Sequence, residues 1–296
     1  MDGFTISVLS NIALFSFLAI SAWVLLIAGE ISFGQQAYFA LGAYGAGIAT
    51  AVWQWPFALG VAFGIGLGAL VGGLVAWPAV RLSGLHYAIA TLAFAELVRA
   101  TLNVFTYRRD VGGVATGPDG ANGFRDIRWV YEAGLPPGAY LLVIAGCLAG
   151  VIGLVALLTR GRFMARLRIV GEDPILAAMM GLPVARTRIA AAALAGGIAA
   201  LGGALYAHLA TYVEPAQFSV MTGVHALAYG LIGGLGTVFG PILGVLIDIG
   251  LLESLRIFAG YRMVVFGGLV AVVLILRPRG VLDERMMHRV AAWLRR

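Results

Sequence analysis

Two carboxylates and one short, well-punctuated segment are where this chain could do chemistry. Glu96 and Asp248 each stand near the centre of a long apolar run, where a charge costs roughly 2.5–3.5 kcal/mol on insertion scales. Such groups must face the bundle interior, be paired, or be neutral. Arg99 follows Glu96 by three residues and Arg256 follows Glu253 by three, a spacing that puts both partners on one helix face. Two readings stand for the mid-run acids: a local ion pair that lowers the cost, or the polar lining of a substrate path. His86, His208 and His225 match no metal-ligand spacing. There is no HExxH, no CxxC and no converging Ser/His/Asp set, so neither an enzyme nor a metal site is expected.

The third feature lies in the arginine-rich stretch 158–188, which carries Arg160, Arg162, Arg166, Arg168, Arg186 and Arg188. In its middle, Asp173 suits an N-cap, Pro174 suits the first helical position, and Gly181 suits the residue that closes a helix. A helix of about seven residues is unstable alone in water. Neighbours must hold it.

Composition sets the class. The 296 residues are 61% hydrophobic and 11% charged, against about 25% charged for a soluble domain. An all-α, polytopic membrane bundle is expected. The net charge of +6 does not indicate nucleic acid, because the arginines cluster beside apolar runs. Cys147 is the single cysteine, so no intrachain disulfide is possible. The N-terminus lacks a basic region before its first long apolar run, so no cleaved signal peptide is expected. The chain contains no lysine, which excludes a P-loop of the form GxxxxGK[ST]. If ATP drives this protein, another polypeptide binds it.

The elements that must position these residues follow from runs of roughly 20 apolar residues. They are expected at 8–28, 34–53, 56–80, 84–106, 138–158, 187–212 and 261–276, with 221–257 broken near 233–241 into two. About eight to ten transmembrane helices result, as one membrane domain over 1–282. A short interfacial helix is expected at 283–296, where Met286, Met287, Val290, Trp293 and Leu294 recur at helical spacing. With stretch 158–188 inside, 13 of the 20 arginines fall on the cytoplasmic side. The N-terminus is then outside and the C-terminus cytoplasmic. Segment 107–137 falls outside and reads as a Gly-rich loop, a plain surface or a docking surface for an extracytoplasmic partner. Gly60, Gly64, Gly68 and Gly72 recur every four residues. They make a groove for close helix packing or a sliding surface for a moving helix. Gly146/Gly150, Gly230/Gly234 and Gly240/Gly244 repeat the spacing.

Several segments, in joint order, resemble the branched-chain amino acid ABC-transporter permeases of the LivM type. Gly29-Glu30-Ile31-Ser32-Phe33-Gly34-Gln35-Gln36-Ala37-Tyr38-Phe39 with Leu41-Gly42-Ala43-Tyr44 is similar to the family signature. So are the run from Arg81 to Glu96, the outer loop Thr116 to Gly123, Gly202-Gly203-Ala204-Leu205-Tyr206-Ala207, and Gly233-Gly234-Leu235-Gly236-Thr237-Val238-Phe239-Gly240-Pro241. Glu172, Asp173, Pro174, Ala177, Ala178 and Gly181 fall in a segment similar to the family's "EAA" loop, which docks into a groove of an ATPase. Ala177 and Ala178 would give it a slim docking face, with Met179 and Met180 as adaptable contacts. Two departures stand out. Glu30 occupies a position where the family usually has Gln, and the segment is shorter than the full EAA pattern.

The resemblance implies a permease subunit of an ATP-driven importer in a bacterial-type inner membrane. The substrates would be leucine, isoleucine and valine, or in a variant of the family urea or short amides. It implies a homologous second permease, two cytoplasmic ATP-binding subunits and an extracytoplasmic substrate-binding protein. ATP and Mg would be bound by the ATPases and no cofactor by this chain. On this reading Glu96 and Asp248 are path-lining candidates and segment 172–181 is the coupling element. A rival from another class is an ion-coupled secondary transporter, which mid-span acids and broken helices would suit, although no convincing pair of internal repeats is found.

Overall fold

A computed structural model describes residues 3–253, 262–277 and 280–282. The expected interfacial helix at 283–296, and the Glu253–Arg256 pair, lie outside the described residues and side chains. The elements are α1 Gly3–Ile27, α2 Gln35–Gly47 continuing as a π-helical turn Ile48–Val52, α3 Phe57–Ala79 and α4 Leu85–Val104. Then come β1 Arg109–Val111, β2 Val114–Pro118, β3 Phe124–Arg125 and α5 Trp129–Glu132. The chain continues with α6 Pro137–Arg160, α7 Arg162–Glu172, α8 Pro174–Met179, α9 Val184–Ala210 and α10 Val220–Gly233. It closes with α11 Phe239–Val245, which runs into a π-helical stretch Leu246–Glu253, and α12 Arg262–Leu276.

Five helices, α1, α3, α4, α6 and α9, are long and apolar enough to cross a membrane; α10, α12 and the stretch Phe239–Gly250 are shorter apolar helices. Helices satisfy their own backbone, which is why apolar runs of this length fold this way in lipid. The chain is an all-α integral membrane bundle, with the break in 221–257 where it was expected. Two expectations need correction. Stretch 158–188 is not a loop around one helix, because Arg162–Glu172 forms a second helix, α7. Its Met164, Leu167 and Val170 are buried at a spacing of three, a helical stripe that the flanking arginines obscure in a composition reading. Segment 107–137 is also more than a loop. It contains a three-stranded antiparallel sheet of order β1-β2-β3, with Arg109 opposite Thr116 and Gly117 opposite Arg125.

The bundle has two distinct ends. Phe124 bridges to Val213 just past α9, so the sheet closes one end. The arginine-rich α7 and α8 sit at the other, where Arg168 Nη2 donates to the Gly236 carbonyl at 3.3 Å in the α10–α11 turn. The core is built on α1, α2, α3 and α9. α1 and α9 are buried along most of their length, whereas α6 turns most of its surface outward. Trp23, Phe17 and Leu14 of α1 pack with Ile198 and Leu205 of α9 and with Tyr140 of α6.

The glycine stripe of α3 is filled by its neighbours. A Cβ on Gly72 would lie 2.6 Å from the Ala192 carbonyl oxygen, and one on Gly68 an equal 2.6 Å from that of Gly196. On α9, a Cβ at Gly203 would fall inside the radius of the Phe39 carbonyl oxygen of α2. The α6 glycines Gly146, Gly150 and Gly153 have nothing within 4 Å, so the same spacing there packs nothing among the described residues.

Gly203→Ala should therefore destabilise the protein by about 3 kcal/mol or more, as overpacking against backbone leaves no side chain to yield. Gly66→Ala, where a Cβ meets nothing within 4 Å, should be neutral or slightly stabilising by helix propensity. Thermal denaturation of both variants in one detergent checks the contrast.

Candidate functional site

α8 is capped as its residue types require. Asp173 Oδ1 accepts from the backbone N–H of Ile175 and of Leu176, each at 2.9 Å, and Pro174 occupies the first turn, where its missing N–H is not needed. Gly181 stands at φ +78°. Its N–H donates to the Ala178 carbonyl at 2.9 Å, and the Leu182 N–H reaches the Ala177 carbonyl at 3.0 Å. Wrapping back in this way satisfies carbonyls that would otherwise be orphaned, and glycine adopts the left-handed conformation without a Cβ penalty.

The face that α8 presents differs from expectation. Ala177 is fully buried and seats the helix on the protein, instead of contributing to an outward face. What points outward is Ile175, Leu176, Met179 and Met180, the last two 81% and 65% exposed, together with Ala178. Glu172 is exposed and belongs to the end of α7, not to α8. α8 packs against α7 and α9, and this large apolar face stays exposed among the described residues.

The two candidate path acids sit in different settings. Glu96 lies on the outward side of α4, its Oε2 accepting from Arg99 Nε at 2.8 Å and Nη2 at 2.6 Å. Both side chains are about one-third exposed, at 35% and 37%, beside outward Leu97 and Ile89. The pair therefore forms, and it does so on the chain's own surface. Asp248 is 1% exposed, and its Oδ2 accepts the Tyr229 hydroxyl at 2.6 Å. It lines a cavity of about 500 Å³ bounded by α1, α10, the π-helical stretch and α12. The fold does not bring the two acids together.

A third charged group was not singled out as a site residue by sequence reasoning. Glu30, 2% exposed, pairs with Arg188 Nε at 2.9 Å. Glu30 lies in the unwound connection between α1 and α2, and Arg188 in the first turns of α9. Gly29 turns the chain out of α1 at φ +76°, with the Glu30 N–H reaching back to the Leu25 carbonyl at 3.0 Å. The turn then meets α7 backbone to backbone, since a Cβ on Gly29 would lie 2.6 Å from the Gly171 carbonyl oxygen. Burial pushes the Glu30 carboxyl up to about 7, and the Arg188 guanidinium opposes part of that rise. The signal in the sequence was the acid standing where the family usually carries Gln, because a buried acid needs a counter-charge. His208 is a satisfied core group. It is fully buried, with Nδ1 2.7 Å from the Ala204 carbonyl and Nε2 2.9 Å from Thr50 Oγ1. Among the described residues no three His, Cys, Asp or Glu side chains cluster to hold a metal ion.

Arg188→Met should expose the pH response of this pair. Without the guanidinium the carboxyl moves further above its ordinary value of 4.5. It stays protonated at pH 6 but is forced toward a charge that burial opposes at pH 8. The loss of thermal stability relative to the parent protein should be larger at pH 8 than at pH 6, measured by denaturation midpoints in detergent.

Comparison with known proteins assigns the family. Residues 4–276 match the family model described as "Branched-chain amino acid transport system / permease component". The chain is 27% identical over 284 residues to the high-affinity branched-chain amino acid transport system permease protein LivM of Escherichia coli (strain K12), covering 86% of this chain and 64% of that protein. It is 29% identical over 197 residues to the ribose import permease protein RbsC of Bacillus subtilis (strain 168), covering 64% of this chain and 58% of that one. Over 152 residues it is 29% identical to the probable branched-chain amino acid transport permease protein LivH of Methanocaldococcus jannaschii, covering 47% of each. The chain thus spans 64% of the length of the LivM relative, and no solved structure matches it. With a helical membrane bundle and a family match along nearly its whole length, the chain belongs to the family of branched-chain amino acid transport system permease components.

Proposed function

We propose that this chain is the membrane permease subunit of an ATP-driven importer for the branched-chain amino acids leucine, isoleucine and valine. The observation that carries this reading is α8, a helix too short to stand alone, capped at both ends, seated by Ala177 and offering an apolar face that none of the described residues covers. A chain without lysine has no P-loop, so ATP and Mg belong to separate subunits, and α8 is where two such ATPases engage the assembly. Glu172, Asp173, Pro174, Ala177, Ala178 and Gly181 form the coupling element, Asp173 and Gly181 by shaping it and Ala177 by seating it.

In this reading residues 1–282 are the permease domain and 283–296 an amphipathic tail on the cytoplasmic side. The arginine-rich end faces the cytoplasm and the sheet-bearing end faces out, where a substrate-binding protein delivers its cargo. A homologous second permease completes the path. A one-third-exposed Glu96–Arg99 pair at mid-span is costly against lipid, so that face of α4 turns toward the partner permease and the aqueous path. Asp248 lines the path from within the bundle. ATP-driven closure of the ATPases displaces α8 and the spans joined to it, a two-state movement biased from a distance.

Reconstitution in vesicles with the neighbouring subunits decides between this and an ion-coupled carrier. Leucine uptake should require ATP and persist with an uncoupler present; uptake that needs an ion gradient and ignores ATP would overturn the reading. Gly181→Val places a β-branched residue at φ +78°. It should lower ATPase co-purification by about tenfold, in line with the strain of a left-handed non-glycine residue.

A further inference from the structure

The first turn of α2 holds polar groups that no contact in the fold accounts for. Gln35 and Gln36 are both fully buried. Among the described residues, neither the amide nitrogen nor the amide oxygen of either side chain has a hydrogen-bond partner. Each of these atoms has given up water with no bond in return, and buried polar atoms are seldom left so. Four of them on adjacent residues point to an occupant that comes from outside the chain.

Their place in the fold is the start of a broken span. Gly29 meets Gly171 at the arginine-rich end, and a Cβ on Gly47 would lie 2.7 Å from the Phe124 ring at the sheet-bearing end. α2 therefore begins part-way through the bundle, after the unwound connection 28–34. Within that connection the Phe33 N–H donates to Thr91 Oγ1 at 3.1 Å and the Gly34 N–H to Ser32 Oγ at 3.2 Å. Gly34 then supplies no side-chain cap to α2, so no cap competes with an anionic group for the positive end of the helix. Broken helices in transporters use such ends to hold a substrate carboxylate.

The cluster also selects its ligand. Each amide offers donors on Nε2 and an acceptor on Oε1, so an anion alone or a cation alone would leave half of them bare. The nearest charge upstream, Glu30, is matched by Arg188 at 2.9 Å and adds no net charge. An α-amino-acid headgroup satisfies both halves: its carboxylate accepts and its ammonium donates. In this conformation α10 covers the place, since a Cβ on Gly223 would lie 2.0 Å from Gln36 Oε1. α10 is only 14 residues long and ends against Gly234 at φ +98°, a short element with a break on which it can turn.

We propose that Gln35 and Gln36 receive the zwitterionic headgroup of an α-amino acid at the N-terminus of α2 when α10 withdraws. The carboxylate takes the amide Nε2 donors and the helix end, and the ammonium takes the Oε1 acceptors. The site rests on the importer reading for its cargo and not for its dependence on ATP.

The test uses the full chain with its co-purifying subunits in nanodiscs and radiolabelled leucine as the probe. Saturable binding is expected, with little competition from leucinamide, which lacks the carboxylate, or from 4-methylpentanoate, which lacks the ammonium. Gln35→Met and Gln36→Met keep the volume and remove the amide. Each should weaken binding by about tenfold or more, the scale of a lost hydrogen bond to a charged group, while the denaturation midpoint stays level or rises, because unpaired buried polar atoms are removed. A purely structural role would lower the midpoint instead. Gly223→Ala pushes the Gln36 amide aside with both glutamines retained, should also weaken binding, and decides the matter if the glutamine variants do not assemble. Absence of saturable binding, equal competition by either analogue, or full binding in the folded variants, which would leave water as the occupant, would overturn the proposal. ATP-driven leucine uptake is scored separately. Its failure with leucine binding intact removes the importer reading and leaves the site, whereas normal uptake by the glutamine variants removes the site and leaves the importer reading.

Discussion

The structure depends on backbone-to-backbone contact between α2, α3 and α9. Lipid tails are as apolar as leucine, so helices in a membrane gain little by hiding apolar side chains from lipid and must gain from close van der Waals approach. Here the approach is made with glycine and alanine. Gly68 and Gly72 of α3 meet Gly196 and Ala192 of α9, and Gly203 of α9 meets Phe39 of α2. A side chain at any of these points would require one helix to move. The seam fixes the spacing of three helices, α1 fills the side of it, and α6 is left to face outward.

That rigid seam is joined to the arginine-rich end at two places close in sequence. Gly29 and Gly171 bring the α1–α2 turn against α7. One residue later, Glu30 binds Arg188 at the base of α9. α8 stands between α7 and α9, so both of its attachments lead to this junction. The Thr91 hydroxyl of α4 accepts from the Phe33 N–H at 3.1 Å, which ties the helix bearing the Glu96–Arg99 pair to the same unwound segment. A short chain of packed groups thus connects the exposed apolar face of α8 with the helices that carry the mid-span charges.

Much of this was legible in the sequence because the signals are local. Asp173, Pro174 and Gly181 specify a helix start and stop through their own backbone preferences, and the caps formed as those preferences require. Apolar runs located the long helices, and the spacing of Glu96 and Arg99 forecast their ion pair. What was not legible depends on contacts distant in the chain. Glu30 and Arg188 are far apart in sequence, and nothing local to either names the other. Ala177 reads as a slim docking residue until the packing of α7 and α9 turns it inward. The sheet in 109–125 escaped because its strands are two to five residues long and joined by glycine-bearing turns, a pattern that turn signals dominate. α7 was hidden by its arginines, whose charge masks a stripe visible only by helical period.

The central claim is that α8 is the contact through which ATP hydrolysis reaches this chain. Cysteine crosslinking tests it most directly. In a Cys147→Ala background, Met179→Cys on the most exposed part of α8 is paired with cysteines along the groove of the co-expressed ATPase. The account predicts a crosslink from Met179→Cys whose yield changes when ATP is added, with none from Val114→Cys at the sheet-bearing end. Equal crosslinking from both ends, or none from α8 in a complex that transports, would contradict it.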